Sequence, residues 1–221
     1  AGSRFGNVLH TALERVDFSA WSLWPNASVG VEEVGQLEAT LRSEGYPDED
    51  VADGVEVLLP LVGHTLTVAL PEGTRLCDVP MRERLVEMEF HFSLRPTATA
   101  DLLALLHEYG VLRQRNGFGL RQRLEGLVTG KIDLIYVHDG RFHVLDYKSN
   151  RLPGYDADTL AAAMDDSEYT LQALLYAVAL HRWLRFRLGE RYDYAAHFGG
   201  IRYLFCRGLD AADPTSPGVH A

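Results

Sequence analysis

Residues 124–149 read LEGLVTGKIDLIYVHDGRFHVLDYKS, two β-rich runs on either side of Asp139-Gly140. Asp-Gly between alternating runs predicts a two-residue hairpin loop of type I′. With those two residues as the loop, His138 faces Arg141 and Asp133 faces Asp146. Directly opposed side chains stand about 4.5–5.5 Å apart at Cβ, where like charges destabilise a sheet. Something positive therefore belongs between the two carboxylates. Side chains alternate along a strand, so Lys148 shares the face of Asp146 at roughly 6.5–7 Å. Tyr147 points the other way and leaves its main-chain carbonyl near the same edge. In this register Lys131 faces Lys148 and reads as a surface base or a phosphate contact. These two are the only lysines among 21 Lys and Arg residues. Arg is a fixed planar cation, whereas Lys is a compact point charge that responds to its surroundings.

Two carboxylates, a carbonyl oxygen and an adjacent ammonium on one face make an oxygen-ligand site for Mg²⁺, a hard cation. The bland alternative is a charge-balanced, exposed hairpin face, and a bulge would spoil the register.

Outside the hairpin, 221 residues suffice for one large domain or two small ones, and 47% hydrophobic with 24% charged residues is an ordinary globular balance. No apolar run approaches the roughly 18–20 residues that cross a membrane, and the N-terminus lacks the cationic and apolar parts of a signal peptide. A cytoplasmic protein is the expectation. The chain begins without Met, which predicts a piece of something longer. Cys77 and Cys206 fit neither a disulfide framework nor a metal site and read as buried apolar fillers. The net charge of −10 opposes phosphate binding, but it is unevenly spread. Residues 31–101 hold fifteen acids and five bases, whereas residues 111–151 hold eight bases and four acids. Screening over about 8 Å lets a polyanion feel the local basic strip more than the distant total.

Apolar spacing predicts helices in FGNVLHTALERVDF, VEEVGQLEATLRSEG, DEDVADGVEVLLPLVGHTL and TADLLALLHEYGVL, and helical patterns fill 157–188. Strands are expected in RLVEMEFHFSL and FGGIRYLFCRG, and the tail 210–221 is expected to be turn-rich and flexible. The result is one α/β domain, 1–209, with helices around a small mixed sheet and an extra helical N-terminal part.

GKID followed by LDYKSN, with LQALLY downstream, resembles the PD-(D/E)XK nuclease superfamily, and within it the RecB-type nuclease domains of RecBCD helicase-nucleases. FGNVLHTALERVDF, VEMEF, LAAAM, ALHRWLR and HFGGIRYLFCRGLD extend the likeness from about residue 5 to residue 210, weakest between 25 and 80. The resemblance implies a restriction-endonuclease-like core and a Mg²⁺-dependent deoxyribonuclease of the exodeoxyribonuclease V type. Asp133 and Asp146 would be the metal-binding acids and Lys148 the catalytic lysine. His10 would be a histidine ligand, and the carbonyl of Tyr147 a further one. Glu89 matches the additional catalytic acid of the family, and Gln172 and Tyr176 its Q-x-x-x-Y motif. The i, i+4 spacing of that pair puts both on one helix face, to orient DNA or brace the site, with a core Tyr and a polar neighbour as the alternative. A lysine at neutral pH is a cation, so electrostatic stabilisation with proton sharing is the role assigned to Lys148.

The family further implies single DNA strands delivered by the RecB helicase part, RecC and RecD as partners, RecA as a contact, and work in double-strand break repair and destruction of foreign linear DNA. A non-catalytic nuclease-fold interaction module and a stand-alone PD-(D/E)XK nuclease are the alternatives. Other motifs fail on spacing: GLVTGKI is too short between its glycines for a phosphate loop, HEYGV lacks a second His, and GFGLRQ is no dinucleotide fingerprint.

Overall fold

The computed structural model describes residues 3–221. The hairpin is present: β2 (Arg123–His138) and β3 (Arg141–Lys148) run antiparallel, with His138 opposite Arg141 and Leu134 opposite Leu145. Asp139 and Gly140 have φ of 48° and 75°, the two left-handed residues that a type I′ turn requires. The ladder ends at Leu134–Leu145, one pair short of Asp133 and Asp146.

β1 (Arg84–Ala98) pairs antiparallel with β2, and β4 (Phe198–Phe205) lies parallel to β3 on its other side. A parallel neighbour needs a crossover, here α5 (Ala157–Asp166), α6 (Tyr169–Leu188) and the single turn α7 (Tyr194–His197). The helical pattern at 157–188 is broken between the first two, where Glu168 takes φ 56°. β5 (Val219–His220) adds antiparallel to β4, giving a mixed sheet of order β1-β2-β3-β4-β5. The segment 210–221, expected to be flexible, instead returns to the sheet through this short strand. Turn chemistry at Asp213 and Ser216 reverses the chain, a local effect that composition alone reads as fraying.

Four helices precede or interrupt the early strands: α1 (Ser3–Arg15), α2 (Val31–Ser43), α3 (Asp48–Thr67) and α4 (Thr99–Glu108). In α1, Val8, Leu9, Ala12 and Leu13 fall on one stripe and are buried. Asp48, Glu49 and Asp50 open α3, where they complement the positive end of its dipole. Leu9, Leu13, Leu58 and Leu66 pack with Leu134, Tyr136, Leu145, Tyr147 and Leu204 on one face of the sheet. On the opposite face Ile132, Ile135 and Val144 meet Tyr176, Ala179, Leu180 and Leu184 of α6. The central strands are thus covered on both sides, which is why their sequence is apolar almost continuously.

Cys77 and Cys206 are buried and unpaired. Burial pushes their thiols up to about 11 and about 12, so they stay protonated fillers. No helix among the described residues is long and apolar enough to cross a membrane.

Because β3 ends its pairing at Leu134, the remainder of β2 continues with β1 alone as a two-stranded ribbon, tipped by α4 and the connection 109–122. Gly130 stands opposite Phe90 in this ribbon. A Cβ there would lie no farther than 3.2 Å from three atoms of the Phe90 ring, and that ring meets Tyr176 edge-on at 6.1 Å. Gly130→Val is therefore expected to lower stability by about 1–3 kcal/mol through overpacking, measured by urea denaturation.

Candidate active site

Alternation along β3 places Asp146 and Lys148 on the face covered by α6, and both are buried. The Lys148 ammonium lies 2.6 Å from Oδ2 of Asp146. It also donates to Gln172 Oε1 at 3.0 Å and stands 3.9 Å from the centre of the Tyr169 ring. Three groups from β3 and α6 thus hold one ammonium in a slot with almost no access to water.

α6 supplies the brace. Gln172 and Tyr176, one turn apart, meet through a 2.7 Å hydrogen bond from Nε2 to the phenol oxygen. The Tyr176 hydroxyl lies 3.0 Å from both Asp146 Oδ1 and the Lys131 carbonyl, and its one proton is shared between them. Tyr203 on β4 donates to Gln172 Oε1 at 3.2 Å. This network ties the pair to the carboxylate and the ammonium. Tyr176→Phe leaves Asp146 Oδ1 without its donor. The expected cost is about 1–3 kcal/mol in stability and roughly 10–100-fold in activity from a misaligned carboxylate, read by thermal melting and steady-state cleavage.

Asp133 sits where both of its ladders are interrupted. Its Oδ2 accepts from the Tyr147 backbone N–H at 2.9 Å, in place of a continued β2–β3 ladder. The same oxygen is 3.4 Å from Nδ1 of His10 on α1, whose ring meets Tyr147 edge-on. Burial pulls the His10 imidazole down, but the hydrogen bond to Asp133 and the charges of Asp133 and Asp146 outweigh it, leaving its pKa above the ordinary value. Burial, then the charge of Asp133, pushes the Asp146 carboxyl up to about 6 against the opposing pull of Lys148 and Tyr176.

Two expectations change. Lys131 does not face Lys148, because β2 beyond Leu134 pairs with β1, where Lys131 stands opposite Glu89. Its ammonium pairs with Glu87. Glu89 is exposed, whereas Glu87 lines a cleft of about 570 Å³ with His10, Asp133 and Lys131. Glu87 adopts φ 57° where the β1–β2 ladder skips a pair, a distortion that local alternation does not reveal. The acid that reaches the cleft from VEMEF is thus its first, and only the two-residue ambiguity within that motif could have flagged it.

The donor set suits a hard divalent cation. Two carboxylates and an imidazole gather near the end of β3, and Asp146 Oδ2 is buried without an aligned hydrogen-bond donor, its ion pair with Lys148 notwithstanding. Among the described residues no three His, Cys, Asp or Glu side chains yet converge at metal-binding distance. Lys148 supplies the counter-charge to Asp146, and Asp133 is turned toward Tyr147 and His10.

The chain is similar to known proteins over nearly its whole length. The family profile described as the PD-(D/E)XK nuclease superfamily matches residues 1–208. RecBCD enzyme subunit RecB of Escherichia coli (strain K12) is 35% identical over 219 residues, covering 96% of this chain and 17% of that protein. The subunit of the same name from Mycolicibacterium smegmatis is 33% identical over 238 residues, covering 96% and 21%. That of Haemophilus influenzae is 31% identical over 214 residues, covering 95% and 16%. The chain therefore spans about a sixth to a fifth of the length of these relatives.

Proposed function

We infer that this chain, which belongs to the PD-(D/E)XK nuclease superfamily, is the nuclease unit of a RecB-type subunit and hydrolyses phosphodiester bonds of DNA with Mg²⁺. The observation that carries the reading is the buried ammonium of Lys148 held 2.6 Å from a carboxylate whose burial raises its pKa.

Asp146, Asp133, His10 and the Tyr147 carbonyl would hold the cation. When bound, Mg²⁺ supplies Lewis acidity toward the scissile phosphate and a more acidic water. Lys148 offsets charge that develops on the phosphate and shares a proton with the attacking water. Gln172 fixes the ammonium, and Tyr176 fixes Asp146, so little reorganisation is needed at the moment of reaction. Glu87, rather than Glu89, is the acid positioned to assist from the cleft.

The substrate is a single DNA strand delivered by a helicase motor in the bacterial cytoplasm, with RecC and RecD as assembly partners and RecA as a further contact. The biological role is double-strand break repair and degradation of foreign linear DNA. A chain of net charge −10 suits this arrangement, because the motor supplies most of the DNA affinity. By itself the chain is expected to bind DNA weakly and with steep salt dependence.

Linear DNA incubated with the chain and Mg²⁺ should be degraded, and Asp146→Ala should leave it intact. No cleavage by the parent, even at low salt and high enzyme concentration, would instead favour a non-catalytic interaction module.

A further inference from the structure

The chemistry above leaves the tip of the β1–β2 ribbon unused. From Tyr109 to Leu124 the chain carries Arg113, Arg115, Arg121 and Arg123 and no acid, within a protein of net charge −10. Arg113, Arg121 and Arg123 are exposed, and Tyr109 is 75% exposed.

This cationic tip is docked onto an acidic turn. Arg115 Nη1 pairs with Glu168 Oε2 at 3.0 Å, and Asp165 and Asp166 line the same cleft, of about 470 Å³, as Arg113 and Arg115. Both members of the ion pair are more than a third exposed, and such pairs are weak and easily exchanged. Glu168 is also the residue immediately before α6, and it lines the adjoining cleft with Lys131, Tyr169, Gln172 and Tyr176. Lys131 in turn lines the cleft of His10 and Asp133. Shared walls thus join three clefts, from the arginine tip, past the aromatic start of α6, to the candidate metal-binding residues. At the far end Glu14, Glu44 and Glu87 make the wall acidic.

We propose that the ribbon tip is the entry guide for single-stranded nucleic acid, and that Glu168 occupies Arg115 until a strand phosphate displaces it. The inference rests on the nuclease reading and adds a direction to it. A strand presents successive phosphates, each with two charged non-bridging oxygens, and so takes over Arg115 and Arg113 together by charge-assisted hydrogen bonds where Glu168 offers one carboxylate. The strand then passes the half-buried Tyr169 toward Lys148, with Tyr109 exposed at the tip for base stacking. Product leaves past the acidic wall, which disfavours backtracking.

The test is equilibrium binding of a fluorescent oligothymidylate to the full 221-residue chain in EDTA, repeated across a salt series, with melting curves to establish folding. Arg113→Ala with Arg121→Ala should weaken binding about tenfold at low salt and flatten the logarithmic salt slope by about 1.4, or 0.7 for each lost phosphate contact. Arg115→Ala should also weaken binding, whereas Glu168→Gln should tighten it by about threefold, because the competing carboxylate is gone. Arg113→Lys should retain most of the affinity. Opposite signs for Arg115→Ala and Glu168→Gln separate a competitor from a brace, since a purely structural pair would loosen in both variants. Weaker or unchanged binding by Glu168→Gln, or an unchanged slope in the double variant, would overturn the guide while leaving the nuclease reading intact. A parent chain that neither binds the strand nor cuts it with Mg²⁺ would overturn both.

Discussion

Replacing Asp146 by Asn lowers cleavage by at least about 10³-fold, the loss expected when several kcal/mol of metal-dependent stabilisation disappear. The same variant reveals the cost of the buried charge. With its carboxyl pushed up to about 6, Asp146 binds its proton more tightly in the folded chain than in the unfolded one. Its contribution to stability is fully present below the unfolded value near 4 and is lost as pH rises through about 6. Measured in EDTA between pH 4 and pH 7, the parent should lose on the order of 3 kcal/mol relative to Asp146→Asn, whose side chain cannot titrate there. Added Mg²⁺ at pH 7.5 should raise the melting temperature of the parent and leave that of the variant unchanged. Equal pH dependence in the two proteins would show that Asp146 is not under electrostatic load.

Lys148→Met should be nearly as damaging to activity, again about 10³-fold, and far more damaging to the fold. Among the described residues the ammonium is the only cationic group paired with Asp146, so its removal leaves a buried carboxylate unpaired, at a cost of about 3–5 kcal/mol. That loss should shrink below pH 6, where Asp146 takes up a proton, and should largely vanish in the Asp146→Asn background. Lys148→Arg keeps the charge but requires a broad fork to fit among Asp146, Gln172 and the Tyr169 ring, in a slot only 9% exposed. Full cleavage by Lys148→Arg would refute the need for a compact cation. Strand binding in EDTA should change only a few-fold in Lys148→Met if its main role is in the chemical step.

Much of this site was legible before any coordinates. Asp139-Gly140 announces its turn because few residues tolerate two consecutive left-handed conformations. Strand alternation then puts Asp146 and Lys148 on one face without reference to any distant residue. The helical pairing of Gln172 with Tyr176 follows from the same kind of local geometry. The neighbourhood of Lys131 was misread because turn geometry fixes register only while the two strands continue to pair. Glu87 was missed because alternation assumes an extended backbone, and its φ of 57° departs from one.

The sequence by itself determined the hairpin, the α/β class and the spacing of the reactive residues, since each follows from backbone geometry within a few residues. Tertiary structure alone decided where the β2–β3 ladder stops, which glutamate enters the cleft, and that Asp133 caps the Tyr147 N–H beside His10. It also decided that the arginine tip rests on Glu168. These outcomes depend on competition among groups far apart in the chain for the same hydrogen bonds and counter-charges, and no local pattern records who wins that competition.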